Sequence, residues 1–208
     1  MADGGINRCV ACCLACCNCC WLLAIILIGV LVPAYGPVSP VRAAVKDASL
    51  SRFALANGTT ALTYDLSLTV ALRNRNWAMQ AEHAAPFDAE LRFAGRVLDA
   101  IRVPVDDGAR RMDPHGGQEF PMWAVSSSAP QGVELGGDAA AEFVRQSVAG
   151  VFELELRLTG AFRYRPVHVG GRRKMDLTCP LKLRVGTAPA TPGTHFMVPV
   201  FGEVVRCY

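Results

Sequence analysis

The chain has 208 residues, of which 51% are hydrophobic and 19% are charged, and its net charge is +3. This composition excludes a wholly disordered chain, a multi-span channel and a small disulfide-stapled toxin. The net charge is too weak to indicate nucleic acid as a partner. Apolar residues and cysteines are concentrated near the N-terminus, and the remainder of the chain suffices for one domain.

An uncharged segment separates Arg8 from Arg42, and within it residues 10–32 carry Asn18 as their only polar side chain. As a helix, these 23 residues would span about 34 Å, which exceeds a hydrocarbon core of roughly 30 Å. Prolines follow directly and would end the helix. We therefore predict one transmembrane helix at 10–32.

A cleaved signal peptide is the alternative interpretation of this segment. Residues 21–32 form an apolar core, and Ala34-Tyr35-Gly36 fits a small-x-small cleavage pattern. Against it, Arg8 is the only basic residue before the core, and the cysteines just ahead of the core are unusual for a leader. We predict an uncleaved signal-anchor.

Two features give opposite orientations for this anchor. Basic residues are more numerous after the span than before it, which favours an external N-terminus. However, Asn57 begins an Asn-Gly-Thr sequon, which is useful only in the secretory lumen. The dense cysteines also suit a reducing cytosolic face. We predict a cytosolic N-terminus and an extracellular domain at the plasma membrane, with Asn57 as the glycosylation candidate.

Seven of the nine cysteines lie between residues 9 and 20. Zinc sites usually combine ligand pairs from different elements, whereas these cysteines are all local, so no metal site is predicted. Juxtamembrane cysteines are candidates for reversible palmitoylation, and Cys9, Cys12 and Cys13 lie nearest the cytosolic face. The alternative is that cysteine serves there only as a small apolar residue.

The rest of the chain is predicted to be all-β. Apolar and polar residues alternate with period two at 62–72, 152–164 and 175–185, which indicates half-buried strands. With turn residues between them, seven or eight strands indicate an antiparallel sandwich over 49–208. The shorter predicted elements are strands at 51–55, 89–93, 96–103, 119–125 and 197–205, and one helix at 138–147 with Asp138 as its N-cap.

Three motifs occur in a specific order along the chain: a long strand with its turn at 64–77, G-V-F-E-L-E-L-R-L-T-G at 150–160, and C-P-L-K-L at 179–183 before a terminal V-V-R-C-Y. Together they resemble the late embryogenesis abundant group 2 (water-stress and hypersensitive-response) domain. With the Cys-rich anchor, the layout is similar to that of plant harpin-induced-like and non-race-specific disease resistance-like membrane proteins. The resemblance implies an immunoglobulin- or fibronectin-like sandwich and a non-enzymatic role in plant defence or stress responses.

The chain departs from this family at one turn. The family pattern is Asn-Pro-Asn, and the sequence here is Asn74-Arg75-Asn76. Proline would fix φ in the turn, so Arg75 either leaves it looser or adds a charge that the family lacks. The two asparagines can instead shape the bend through side-chain to backbone hydrogen bonds.

No catalytic motif is present: the sequence has no nucleophile elbow, no H-E-x-x-H and no P-loop. The chain is therefore predicted not to be an enzyme and to need no cofactor or metal. The basic run at 170–174 is expected to be solvated charge at a hairpin tip, with contact to anionic lipid headgroups or wall polyanions as the alternative. The four histidines are scattered in loop-like or strand-edge contexts: His83, His115, His168 and His195.

The two remaining cysteines are Cys179 and Cys207. Cys179 shares parity with Leu177 and Leu181, so it is predicted to face inward, and an external domain would be oxidising. A bridge between the pair would close a loop of about 29 residues and contribute roughly 3–4 kcal/mol. The alternative is a pair of buried free thiols.

These observations favour a membrane-anchored interaction protein. With a short cytosolic tail at 1–9 and a linker at 33–48, the sandwich would bind an unidentified membrane or cell-wall protein through exposed loops or edges. The alternative is a module that holds lipid or another apolar ligand between its sheets. An internal cavity would distinguish the two, and the apolar side chains of the strands suffice to fill the core, so no small-molecule ligand is expected.

Overall fold

The structure is a computed structural model. For residues 3–17 and residue 34 it describes the backbone alone. The residues that it describes are 3–36, 38–56, 60–106, 108, 110–126, 133–166, 171–186 and 204–208.

The chain begins with a long helix, α1, which comprises Asp3–Tyr35. The large apolar side chains between Trp21 and Val32 are exposed. Within the described residues, no helix has the length and hydropathy needed to cross a membrane. The transmembrane helix at 10–32 stays a prediction.

Eleven strands and a second helix follow α1 among the described residues. In chain order they are β1 (Arg42–Leu55), β2 (Ala61–Arg73), β3 (Gln80–His83), β4 (Phe87–Phe93), β5 (Arg96–Val103), β6 (Arg111–Met112), β7 (Gly117–Val125), β8 (Val133–Glu134), α2 (Gly137–Ala149), β9 (Phe152–Arg165), β10 (Arg173–Leu183) and β11 (Val205–Arg206).

The strands form two antiparallel sheets. The first sheet has the order β11-β1-β2-β7, and β8 pairs with β2. The second has the order β5-β4-β9-β3-β6, and β10 pairs with β9. Four of the eleven strands have four residues or fewer, which is too short to show a period of two. The sequence therefore predicts only seven or eight.

One apolar core includes inward-facing residues of both sheets. In β2 the even positions predicted to face inward are buried, and in β9 the buried face runs from Phe152 to Tyr164 as expected. Each large apolar side chain that is fully buried contributes roughly 1.5–3 kcal/mol. Two antiparallel sheets that share one core are consistent with a β-sandwich.

The starts of β1 and α2 differ from the predictions in ways that have a structural cause. β1 starts at Arg42, inside the range 33–48 expected to be a linker, because bulges and Asp47, with φ of 52°, interrupt the alternation of its sequence. Helix α2 has Gly136 as its N-cap, without a side-chain bond, so the prediction of Asp138 as the cap is wrong. Asp138 lies in the first turn, where its charge favours the helix dipole.

The C-terminal residues join the two sheets. Cys207 N donates to Ala43 O of β1 at 3.2 Å. Thr178 of β10 and Tyr208 exchange two backbone hydrogen bonds, at 2.9 and 3.1 Å. The end of the chain therefore closes the gap between β1 of the first sheet and β10 of the second.

Candidate functional site

Two buried asparagines organise the turn after β2. Asn74 is 0% exposed, and its Nδ2 donates to the carbonyls of Met79 at 2.8 Å and Asp113 at 3.0 Å. Its Oδ1 accepts from Asn76 N at 3.1 Å and from Asn76 Nδ2 at 2.8 Å. One side chain thus fixes its own turn and connects it to the turn that precedes β7.

Asn76 fastens this turn to the connection between α1 and β1. Ser39 N donates to Asn76 Oδ1 at 2.7 Å, and Asn76 Nδ2 donates to Ser39 O at 2.9 Å. Because both the oxygen and the nitrogen of the Asn76 side-chain amide are used, the contact resembles a short stretch of strand pairing. Such bonds between side chain and backbone are of the kind expected to shape the bend.

Arg75 and Trp77 project from the same turn. Arg75 is exposed, and Trp77 is 75% exposed. Arg75 is therefore placed between two fixed neighbours, so the turn is held without proline. The asparagines form the buried support of the turn, and its accessible side chains are those of Arg75 and Trp77.

A groove of about 640 Å³ lies on the first sheet at the same end of the domain. The small residues Ala44, Ala71 and Gly117 line it, and the strand register places Ala44 opposite Ala71. Longer side chains from β1, β2, β7 and β11 surround these small residues. Its charged and polar lining consists of Arg42, Lys46, Arg73, His115, Gln118, Glu119 and Arg206.

The charges of this groove are predominantly positive. Lys46 Nζ lies 2.6 Å from Glu119 Oε1, and Glu119 is the only carboxylate among the lining residues. Arg42 and Arg73 are direct cross-strand partners, and Arg206 is the partner of Ala44. None of these three arginines makes an ion pair with another described residue. Like charges placed opposite each other repel, so the groove is suited to an anion.

Sequence reasoning missed this groove. Arg42, Arg73 and Arg206 are far apart in the chain, and only the strand register brings them together. The available signal was the position of each arginine in its strand, next to residues that are buried or, for Arg206, partly buried. An odd or even position along a strand indicates which residues face outward, but it does not predict which strands are neighbours.

Cys179 and Cys207 form a disulfide, with an Sγ–Sγ distance of 1.99 Å and a Cα–Cα distance of 4.2 Å. Cys179 is 0% exposed, as its parity predicts. The bridge connects β10 of the second sheet to the residue that follows β11 of the first. It therefore reinforces the same closure as the backbone bonds of Tyr208.

His83 is buried, which its loop-like or strand-edge sequence context does not indicate. It ends the short strand β3, is 3% exposed and contacts the rings of Phe87 and Phe162. Its Nε2 lies 3.3 Å from Gln118 Oε1. Burial lowers the pKa of His83, and the bond to Gln118 opposes this shift. The strand is too short for its sequence to reveal which residues face inward.

Several predicted sites lie outside the described residues. These include Asn57, His168 and His195, and the side chains of the acylation candidates Cys9, Cys12 and Cys13. Of the basic run at 170–174, residues 171–174 are described, and all four are exposed. Arg173 and Lys174 also pair with β9. In the part of the chain with described side chains, no three His, Cys, Asp or Glu residues are grouped as metal ligands.

No protein-family model and no curated protein matches the chain. An X-ray structure of a Northeast Structural Genomics Consortium target is similar with a TM-score of 0.43 and 11% identity, over 74% of this chain and 94% of that chain. A crystal structure of a protein from Archaeoglobus fulgidus is similar with a TM-score of 0.32 and 8% identity, over 71% of this chain and 97% of that chain. Similarities this weak support no argument about function.

Proposed function

We propose that this chain is a single-pass, membrane-anchored interaction protein without enzymatic activity, which acts at the plasma membrane in plant defence or stress response. Its β domain would have an immunoglobulin- or fibronectin-like topology and would face the cell exterior. The uncharged run at 10–32 supports the anchor, and the ordered family motifs support the domain. Asn57 would carry a glycan, and Cys9, Cys12 and Cys13 would be acylated at the cytosolic face.

The observation that carries a binding role is the positive groove on the first sheet. Guanidinium groups bind carboxylates through paired hydrogen bonds, and Arg42, Arg73 and Arg206 have no carboxylate partner among the described residues. The small side chains between them leave space for an extended backbone. The partner would therefore be a membrane or cell-wall protein that offers an acidic, extended segment.

The packing between the sheets gives no support to the apolar-ligand alternative. A cavity between the sheets, with Leu66, Leu91 and Leu156 in its lining, has a volume of about 10 Å³. That volume is too small for a lipid chain and marginal for one water molecule. A crevice of about 230 Å³ between β1 and β10 is also below the usual size of ligand pockets, roughly 300–1,000 Å³.

Binding of an acidic probe tests this proposal. The full chain in lipid nanodiscs would be titrated with a fluorescent glutamate-rich peptide, and the affinity measured by anisotropy. The variant Arg42→Glu should weaken binding by at least about tenfold, because charge reversal replaces attraction with repulsion. The matched control is Arg163→Glu, an exposed arginine of the second sheet.

The two variants separate a specific groove from general charge attraction. Equal loss of affinity in the groove variant and in Arg163→Glu would contradict the proposal. In plant cells, proximity labelling with the wild-type chain should find membrane or wall neighbours that the groove variant no longer labels. No reproducible neighbour for either chain would also count against an interaction role.

A further inference from the structure

We infer that the turn carrying Arg75 and Trp77 lies in the phospholipid headgroup layer of the bilayer that holds α1, so that the domain is docked on the membrane surface. This inference rests on the membrane anchoring proposed above. Three observations support it: the chain length from the helix to the turn, the contacts that fix the connection, and the chemistry of the exposed side chains.

The chain length keeps the turn close to the bilayer. The apolar run ends at Val32, and the helix continues to Tyr35, which adds about 4.5 Å. The four residues from Tyr35 to Ser39 span about 14 Å when fully extended. Each headgroup layer is roughly 5–8 Å thick. Ser39 is hydrogen-bonded to Asn76, and Trp77 is the next residue.

The connection is held against the domain, which makes the actual distance shorter than this bound. Tyr35 and Val38 are partly buried and pack against the core. Val41 N donates to the hydroxyl of Tyr164 at 3.2 Å. With the Ser39–Asn76 pair, these contacts hold the described residues of the connection against the domain.

The exposed side chains of the turn match the chemistry of the interface. Tryptophan is enriched at membrane–water interfaces, where its ring is partly apolar and its N–H finds a polar partner. Trp77 is 75% exposed in the absence of a membrane. Arg75 beside it is suited to the lipid phosphates. The buried Asn74 and Asn76 support both side chains on a fixed turn.

The three tryptophans of the chain allow a direct test in the full-length protein. Each double Trp→Phe variant leaves a single reporter: Trp21 in α1, Trp77 in the turn, or Trp123 on the outer face of β7. Trp123 is the matched control, because it is 59% exposed and pairs with Ser67. Ser67 lies six residues before Arg73, or roughly 20 Å along the strand from the helix-proximal end.

The variants would be reconstituted in phosphatidylcholine liposomes that contain either a lipid with a nitroxide on its headgroup or a lipid brominated in its acyl chains. We expect the headgroup nitroxide to quench Trp77 at least about threefold more strongly than Trp123, since Trp77 would lie among the headgroups, where tryptophan is enriched, and Trp123 would not. The brominated lipid should quench Trp21. Adding phosphatidylglycerol should increase the quenching of Trp77, and Arg75→Gln should remove that increase.

The outcomes distinguish this inference from the proposed function. If Trp21 is quenched but Trp77 is not, the anchor stands and the docked turn is refuted. If Trp21 is not quenched, the anchoring itself fails, and this inference fails with it. Equal quenching of Trp77 and Trp123 would mean that the domain lies on the bilayer without a preferred face, which also overturns the inference.

Discussion

Replacing the buried Asn74 with alanine should strongly destabilise the β domain. Five groups lose this partner: the carbonyls of Met79, Met112 and Asp113, and the backbone N–H and Nδ2 of Asn76. The Asp113 carbonyl keeps the N–H of Gly116, Asn76 Nδ2 keeps the Ser39 carbonyl, and the Met112 bond is long at 3.3 Å. The Met79 carbonyl and the Asn76 N–H therefore account for most of the expected loss. Each unsatisfied buried group costs about 1–3 kcal/mol, and we expect a loss of roughly 3 kcal/mol.

Urea denaturation of the full chain in a mild detergent would measure this loss. Far-UV circular dichroism at a wavelength dominated by the sheets would report on the domain. With a slope of roughly 1.5–2 kcal/mol per molar urea, the midpoint should fall by about 1.5–2 M. Such a change is a large part of the roughly 5–15 kcal/mol that holds a typical domain.

Arg75→Ala is the matched control, because it removes the exposed side chain between the two asparagines. We expect it to change the free energy of unfolding by less than about 0.5 kcal/mol. Asn74→Asp should be at least as harmful as Asn74→Ala at neutral pH, since a carboxylate oxygen would then face the Met79 carbonyl. If Asn74→Ala unfolds at the same urea concentration as Arg75→Ala, the reasoning about the buried network is refuted.

Three further predictions concern the disulfide, the buried histidine and the glycan. Cys179→Ser/Cys207→Ser should lower the free energy of unfolding by roughly 3–4 kcal/mol, and non-reducing peptide mapping of the native chain should recover the bridged peptides; two free thiols would contradict this. Because burial lowers the pKa of His83, the unfolded chain binds the proton more readily. The contribution of neutral His83 to the free energy of unfolding is complete above about pH 6.5 and is lost as the pH falls below that value. Below pH 6.5, urea midpoints should therefore decline less steeply in His83→Gln than in wild type. Glycosidase treatment should shift the mobility of the plant-expressed chain, and Asn57→Gln should abolish that shift; an unshifted wild-type chain would remove the main argument for an extracellular domain.

The sequence predicts the long strands well because their alternation is strong. β2 places an uninterrupted apolar face in the core, and β9 does so except at Gly160, so local pattern alone is sufficient for that inference. β1 shows the opposite case: its inward residues include Ala43 and Ala48, and its bulges shift the phase. A small apolar residue and a phase shift both weaken a period-two signal, so the sequence does not predict where β1 starts.

The candidate sites were less predictable because they depend on register. The turn at Asn74 and Asn76 could be recognised as a bend, but its attachment to Ser39 bridges 37 positions in the sequence. The groove likewise requires Arg42 to meet Arg73, and Arg206 to arrive beside Ala44 from the far end of the chain. Side-chain parity gives the face of a strand, whereas these sites depend on which strands are neighbours.

The position of β1 also determines how the domain responds to mechanical tension. A pull on α1 enters the domain through the Ser39–Asn76 contact and then through β1, which has β2 on one side and β11 on the other. A partner held in the positive groove would contact these same strands. Tension between the tether and the partner would therefore pass sideways across a few paired strands, which resist it together as their hydrogen bonds are sheared. The rest of the domain would stay outside the path of the force.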